Sequence, residues 1–197
     1  MFNFLLASAL CFCLGFSAHS QGETAWKLYT SSGKKISSKK MMKVLKEQEL
    51  VFFGEQHDNV VAHFLTIEVL TKLLEENPKL QFGLEMFEAD QQECLDSLNQ
   101  QLFLVKELDN RTRVWSNHRD YVPMLDTVIK SGSKIIATNI YRPWASALFH
   151  GGRDSLMTVV GSDTAWVCAL DFDVDTSLSQ YAEMAKMAIH MGDKHFV

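Results

Sequence analysis

The sequence of 197 residues has few of the features that mark repetitive or unstructured chains. It contains only three prolines and ten glycines, too few for a collagen-like or linker-rich protein. No apolar run approaches the roughly 20 residues that a membrane-spanning helix needs. Basic residues (19) are outnumbered by acidic ones (24), so the chain lacks the basic excess of nucleic-acid-binding domains. The composition therefore indicates one globular domain with no nucleic-acid partner, and it excludes a polytopic membrane protein.

The motifs of several common enzyme and cofactor classes are also absent. The sequence has no Gly-rich phosphate-binding loop, no Gly-x-Ser-x-Gly, no His-Glu-x-x-His and no Cys-x-x-Cys-His. These absences argue against classical nucleotide binding, serine hydrolysis and covalent c-type haem attachment. Noncovalent haem binding is compatible with the sequence, because an apolar macrocycle with polar propionates suits a mixture of aromatic, His, Tyr and Arg side chains.

The first twenty residues have the pattern of a secretory signal peptide. Residues 4–16 are apolar or small and uncharged, and Ala18 and Ser20 occupy positions −3 and −1 of a signal-peptidase site. The alternative is a buried N-terminal strand or helix. We expect residues 1–20 to be a signal peptide and residues 21–197 to form the mature domain. The protein would then be secreted or located in the periplasm or cell envelope.

Apolar periodicity predicts alternating strands and helices. Short apolar runs predict buried strands at residues 49–53, 80–86 and 134–138, with further short strands at 26–29 and 165–170. Helical spacing predicts helices at residues 38–46, 59–76, 90–103, 119–131 and 178–190, and a short helix after Pro143. Residues 105–118 are polar and predict no regular element. This order predicts an α/β fold with a mainly parallel sheet and helices on both faces.

Polar side chains follow each of the three main predicted strands. The first strand is followed by Glu55 and His57, the second ends near Glu85, and the third is followed by a set of polar residues: Asn139, Tyr141 and Arg142. Ligands of open parallel sheets bind outside the carboxyl ends of the strands, so we expect these groups to share one rim. Glu85 lies in an apolar segment, and we expect a buried carboxylate there that pairs with His57 or a cation.

Several of these residues also have a structural interpretation. His57 follows a tight Gly turn and could project into the crevice, or it could cap the next helix, a role that Asp58 or Asn59 fills better. His63 lies on an apolar helix face, and its spacing is equally consistent with a buried core histidine and with a ligand. Tyr121 fits both an inward helical stripe and an iron ligand, and His118 and Tyr141 are the other candidates for that ligand.

Four sequence blocks in order carry a family resemblance: residues 52–59 with His63, residues 84–87 with Gln91, residues 121–125, and residues 136–139 with Arg142. With these blocks the sequence resembles the ChaN-like haem-binding uptake proteins of the Tiki superfamily, over residues 25–197. The resemblance implies a secreted or envelope-attached protein that binds haem for iron uptake, without turnover. The haem-contacting residues would be His57, His63, Tyr121, Tyr141, Asn139 and Arg142.

The resemblance also implies partners and leaves one alternative open. A tyrosine holds the haem iron in such proteins, and homodimerisation completes the pocket; an envelope haem receptor or transporter would be a further partner. The block match does not decide between Tyr121 and Tyr141. The wider superfamily includes metal-dependent esterases and proteases, so the alternative is a hydrolase with a divalent metal ion at Glu55, His57 and Glu85.

The sequence departs from the family pattern in two respects. It lacks the lipoprotein cysteine of some members, which puts membrane anchoring in doubt. It also stops where a further helix and a closing strand are expected, so we expect the fold to lack its C-terminal elements. A missing strand would leave an exposed sheet edge.

Overall fold

The described part of the chain divides into two units. The computed structural model describes residues 26–164, 167, 175 and 177–190. The signal peptide predicted at residues 1–20 lies outside this part, as does the strand predicted at 165–170 apart from Val167. The first unit contains an antiparallel hairpin of β1 (Leu28–Tyr29) and β2 (Lys35–Ile36). The second unit begins at Ser38 and carries every residue of the predicted rim.

The second unit has the predicted alternation of helices and parallel strands. Its helices are α1 (Ser38–Leu45), α2 (Val60–Glu76), α3 (Gln92–Asn99), α4 (Val122–Ser131), α5 (Arg142–Val160) and α6 (Ser179–His190). Its strands are β3 (Gln81–Glu88) and β4 (Lys134–Asn139). Short 3₁₀ turns cover Ala89–Gln91, Val105–Asn110 and His118–Tyr121. Among these helices none is long and apolar enough to cross a membrane.

The parallel pair of β3 and β4 forms the centre of this unit. Gln81 pairs with Lys134 and Leu84 with Ala137, but Glu88 pairs with Asn139, so β3 takes four steps where β4 takes two. This irregularity lies at the carboxyl end of the strands, where such bulges re-aim side chains. It places Phe87 in the core and Glu88 at the rim. The α/β class with a small parallel sheet is thus confirmed.

Helices α3 and α4 pack against β4, and α2 packs against α4. Their inward side chains and those of β3 form one hydrophobic cluster, whose fully buried members are Phe87, Leu95, Leu98, Val128 and Ile135. Gly132 ends α4 in the left-handed conformation (φ +77°), at the stop that the sequence predicts. Helix α5 is longer than predicted, and a break at Gly152 (φ +71°) divides it.

The strand predicted at residues 49–53 is not formed. In the part of the chain that the structure describes, this segment takes part in neither sheet, and Phe52 is 88% exposed. A short apolar run indicates a buried strand only if a neighbouring strand accepts its backbone hydrogen bonds. Neither β3 nor β4 does so, and the segment is instead an irregular connection that leads into α2.

The helix predicted at residues 90–103 is shorter than expected. It begins with a 3₁₀ turn and ends at Asn99, because Gln101 has a positive φ of 58°. Leu102 lies beyond the end of this helix and is exposed. A positive φ at a non-glycine residue is uncommon, and the apolar spacing gives no sign of it.

Asn59 caps helix α2 as the sequence suggests, and this contact predicts a stability effect. Its side-chain oxygen accepts from the backbone N–H groups of Val61 (3.0 Å) and Ala62 (3.1 Å). Asn59→Ala is expected to lower the free energy of unfolding by about 1 kcal/mol, because two amides lose their acceptor. Urea titration measures this difference, and Asn59→Ser, which restores an acceptor, should recover most of it.

Candidate functional site

Glu55 is the centre of a polar cluster at the entrance to helix α2. The irregular segment before α2 carries Glu55 and His57, the first turn of α2 carries His63, and the 3₁₀ turn before α4 carries Tyr121. The hydroxyl of Tyr121 donates to Glu55 Oε1. His57 Nδ1 lies 3.4 Å from the same oxygen, and His63 Nε2 lies 3.5 Å from Oε2. We call these four residues the Glu55 cluster.

Exposure divides the Glu55 cluster into an inner and an outer part. The side chains of Glu55 and His63 are 13% and 6% exposed, and Tyr121 is buried. His57 is 53% exposed and is the member that reaches the surface. His63 Nε2 is buried without a hydrogen-bond partner, since its approach to Glu55 lacks hydrogen-bonding geometry. A buried polar atom without a partner is uncommon and is a reason to look for a functional role.

Two residues that the sequence did not single out complete this site. The Trp115 ring packs edge-on against His57 (centroids 4.7 Å apart) and against Tyr121 (6.2 Å). Asn117 donates to the backbone carbonyl of His57 at 2.6 Å. Both belong to residues 105–118, for which the sequence predicts no regular element. A tryptophan within an otherwise polar segment was the signal that could have pointed to a packed role.

Glu88 is the centre of a second cluster, at the end of β3. Its carboxylate accepts from the Arg142 backbone N–H (2.9 Å) and from Arg113 (3.2 Å), and Arg142 Nε lies 3.4 Å away. Arg113 also bonds Asp90 at 2.7 Å, which raises the pKa of the guanidinium. The Arg113 guanidinium lies 5.9 Å from the centre of the Tyr141 ring. Glu88, Asp90, Arg113, Tyr141 and Arg142 are the Glu88 cluster.

The two clusters are neighbours through the segment that supplies Arg113 and Trp115. Only one residue lies between these positions, so their Cα atoms are at most about 7 Å apart. Arg113 contacts the Glu88 cluster and Trp115 contacts the Glu55 cluster. The structure thus brings His57, His63 and Tyr121 together, and it brings Tyr141 and Arg142 together beside them.

Glu85 is not the buried carboxylate that the sequence predicts. Alternation along β3 buries Leu84 and Met86 and exposes Glu85. Its side chain has no partner among the described residues, and its backbone carbonyl accepts from the Asn139 amide at 3.1 Å. Among the described residues no group of three His, Cys, Asp or Glu side chains could hold a metal ion. The structure therefore gives the metal site proposed at Glu55, His57 and Glu85 no support.

His118 is engaged at both of its ring nitrogens. Nδ1 lies 3.1 Å from the Trp115 carbonyl oxygen, and Nε2 lies 3.3 Å from Asp109 Oδ2. Neither nitrogen is available to a ligand in this arrangement. His118 instead holds together the segment that presents Trp115.

Tyr121 is a neutral hydrogen-bond donor in this site. Burial, then the hydrogen bond to Glu55 and the charge of that carboxylate, raise the pKa of Tyr121 well above its usual value. Tyr121→Phe is expected to lower the free energy of unfolding by about 1–3 kcal/mol, because the largely buried carboxylate loses a donor. Urea denaturation measures the change. Equal stability of variant and parent protein would show that Glu55 does not depend on this bond.

Exposed apolar side chains lie close to His57 in the sequence. Phe52 and Phe53 precede it in the irregular segment before α2, and Val60 and Phe64 lie one turn apart on α2; all four are exposed. Exposed apolar side chains near an accessible imidazole and cationic guanidinium groups are suited to a ligand with both apolar and anionic parts. The α/β fold thus carries two neighbouring polar clusters, one of which lies at the carboxyl end of β3, that are together a candidate ligand-binding site.

Comparison with known proteins identifies the family. The chain belongs to the family described as haem-binding uptake, Tiki superfamily, ChaN, whose model matches residues 41–196. Among solved structures it is similar to ChaN of Campylobacter jejuni, a structure described as showing cofacial haem binding. The two are 27% identical with a TM-score of 0.55, and the match covers 64% of this chain and 52% of that one. The chain thus spans about half the length of this relative. A search of curated proteins finds no match.

Proposed function

We propose that this protein binds haem noncovalently beside the Glu55 and Glu88 clusters and serves in haem or iron uptake, without turnover. Family membership and the likeness to a haem-binding ChaN support the proposal. The observation that carries it is the state of His57, whose side chain is 53% exposed and whose Nδ1 lies 3.4 Å from Glu55 Oε1. Ligand histidines typically have one ring nitrogen bonded to a carboxylate or carbonyl in this way.

The donor set fits haem chemically. Bound haem would supply an iron that accepts a nitrogen or oxygen ligand and two propionates that pair with cations. His57 and Tyr141 offer such ligand atoms, and the exposed guanidinium of Arg142 suits a propionate. Phe52, Phe53, Val60 and Phe64 offer the apolar contact area that a macrocycle requires.

The six proposed haem-contacting residues differ in what they can contribute. His57 and Tyr141 are accessible enough to reach a ligand directly, and Arg142 is fully at the surface. His63 and Tyr121 are buried behind His57, so we assign them to the support of the site. Asn139 bonds the backbone of Glu85 and Ile140 and holds the carboxyl end of β4 in place.

The biological setting belongs to the same proposal. A signal peptide at residues 1–20 would deliver a mature domain of residues 21–197 to the periplasm, the cell envelope or the exterior. Haem bound at an exposed site favours a homodimer that covers its second face. An envelope receptor or transporter would then accept the haem.

A haem titration followed by absorbance tests the proposal. We expect a saturable shift of the Soret band when haem is added to the purified protein, in parallel with quenching of the fluorescence of Trp115 and the other tryptophans. Sedimentation of the loaded protein reports the dimer. Failure of the Soret band to saturate, together with a stoichiometric divalent metal in the purified protein, would overturn haem binding.

A further inference from the structure

We infer that Gln91 is a positioning residue of the candidate site: its buried side chain holds residues 112–113 against the end of β3 and so fixes the Trp115 ring against His57 and Tyr121 before a ligand binds. This inference rests on the proposed haem-binding function. Gln91 belongs to one of the four sequence blocks that carry the family resemblance, and the sequence alone gives it no role.

The side-chain amide of Gln91 is hydrogen-bonded at both ends. Gln91 is 3% exposed, and its Oε1 accepts from the backbone N–H of Glu88 at 2.9 Å. Its Nε2 donates to the Thr112 hydroxyl (2.7 Å) and to the backbone carbonyl of Arg113 (2.6 Å). A backbone N–H only donates and a carbonyl only accepts, so these contacts fix the orientation of the amide. The segment that leads to Trp115 thus receives both hydrogen bonds that Nε2 donates.

Residues 113–115 depend on side-chain contacts for their position. They belong to no helix, strand or turn, so no regular backbone hydrogen bonding holds them. Farther along the segment, Asn117 bonds the carbonyl of His57, which itself lies in the irregular segment before α2. Gln91 instead lies between β3 and α3, and both of these elements pack against β4. Its hydrogen bonds therefore connect residues 112–113 to the packed centre of the unit.

The ion pairs of Arg113 are weaker constraints on the same segment. Its guanidinium lies 3.2 Å from Glu88 and 2.7 Å from Asp90, but it is 56% exposed. Exposed ion pairs contribute little, because solvent and salt screen the charges. Loss of a buried hydrogen bond is more costly, because it leaves polar groups without a partner. We therefore assign the position of the segment to Gln91.

A fixed Trp115 ring lowers the entropic cost of binding. The ring packs against His57 (centroids 4.7 Å apart) and against Tyr121 (6.2 Å). Without the bonds of Gln91 the ring would have to be ordered when haem binds, and ordering one side chain lowers affinity by a factor of about 2–10. Gln91 is buried, so it acts on binding through Trp115 and not by contact with the ligand.

The first experiment needs no haem. Gln91→Met keeps the length of the side chain but removes its hydrogen bonds, so the indole N–H signal of Trp115 in NMR spectra should shift. The matched control is Gln92→Met, because Gln92 accepts from the Ala137 N–H of β4 at 2.8 Å and bonds neither cluster. Both variants should lose stability, but only Gln91→Met should move the Trp115 signal. An unchanged signal in Gln91→Met would overturn the inference.

The second experiment is a haem titration. Gln91→Met should raise the Kd for haem about 2–10-fold, and Gln92→Met should leave it unchanged. In a Trp115→Ala background, Gln91→Met should have no further effect on the Kd, because the residue through which it acts is absent. Equal fold-changes in the two backgrounds would overturn the positioning role. Failure of the parent protein to bind haem would instead contradict the proposed function, whatever the Trp115 signal shows.

Thr112→Val provides the same test if Gln91→Met does not fold. It removes one acceptor of Gln91 Nε2 with little change in side-chain size. The Trp115 signal and the Kd for haem should change in the same direction as in Gln91→Met, by a smaller amount. A Trp115 signal identical to that of the parent protein would count against the inference.

Discussion

A His57→Ala variant is expected to bind haem at least 10–100-fold more weakly than the parent protein, with a shifted or absent Soret band. The lower bound is the usual loss when only a supporting contact to a metal ligand is removed, and His57 is proposed to contact the haem itself. Its ring is exposed, so its removal should leave the core intact. Titration with haem, followed by absorbance, measures the effect.

The control for this variant is His150→Ala. His150 is an exposed histidine on α5 whose ring packs against Phe149, outside both clusters. The His150→Ala variant should bind haem with the same affinity as the parent protein. Full retention of affinity in His57→Ala, combined with its loss in Tyr141→Phe, would transfer the iron-binding role to Tyr141. The Arg113 guanidinium lies 5.9 Å from the centre of the Tyr141 ring, within the Glu88 cluster.

The largest stability effect is expected at Phe87. This ring has no exposed surface and lies in the core, at the irregular end of β3. Phe87→Ala should lower the free energy of unfolding by about 3–5 kcal/mol, because it removes a buried ring and leaves a cavity. Urea denaturation followed by circular dichroism measures the difference.

Phe52→Ala is the matched control for Phe87→Ala and separates stability from binding. Phe52 is 88% exposed, so its removal should change the free energy of unfolding by no more than about 0.5 kcal/mol. If it contacts haem, however, the same substitution should weaken binding by about tenfold, or ~1.4 kcal/mol. A large loss of stability in Phe52→Ala would show that the Phe52 ring is buried in solution and not exposed.

The predicted elements agree best with the structure where the apolar pattern is long and a capping residue precedes it. The helical spacing of α2 runs over more than four turns and begins at a residue that can cap it, and the structure confirms both its position and the cap at Asn59. The strands β3 and β4 are likewise confirmed, with a small shift of their ends. The strand at residues 49–53 fails because a strand needs a hydrogen-bonded neighbour, and a short apolar run contains no information about that neighbour.

The sequence selects candidate residues for the site but not their contacts. The rule that ligands bind at the carboxyl ends of parallel strands selected Tyr141 and Arg142, which follow β4, and it selected His57 through a strand that does not form. It could not show that β3 is irregular near its end, so it took Glu85 instead of Glu88 as the buried carboxylate. Nor could it place Arg113 and Trp115, since their segment has no periodicity and takes its position from tertiary contacts.

By itself, the sequence determined the α/β class, the order of the main helices, the strands β3 and β4 and the family resemblance. These properties depend on local patterning, because the period of apolar residues and the residues that end each run are encoded side by side along the chain. The tertiary structure decided that Glu88 and Tyr121 are buried and that His57 is exposed at the surface. Those outcomes depend on burial and on pairs of residues as far apart as Glu55 and Tyr121, and only the folded chain brings such pairs into contact.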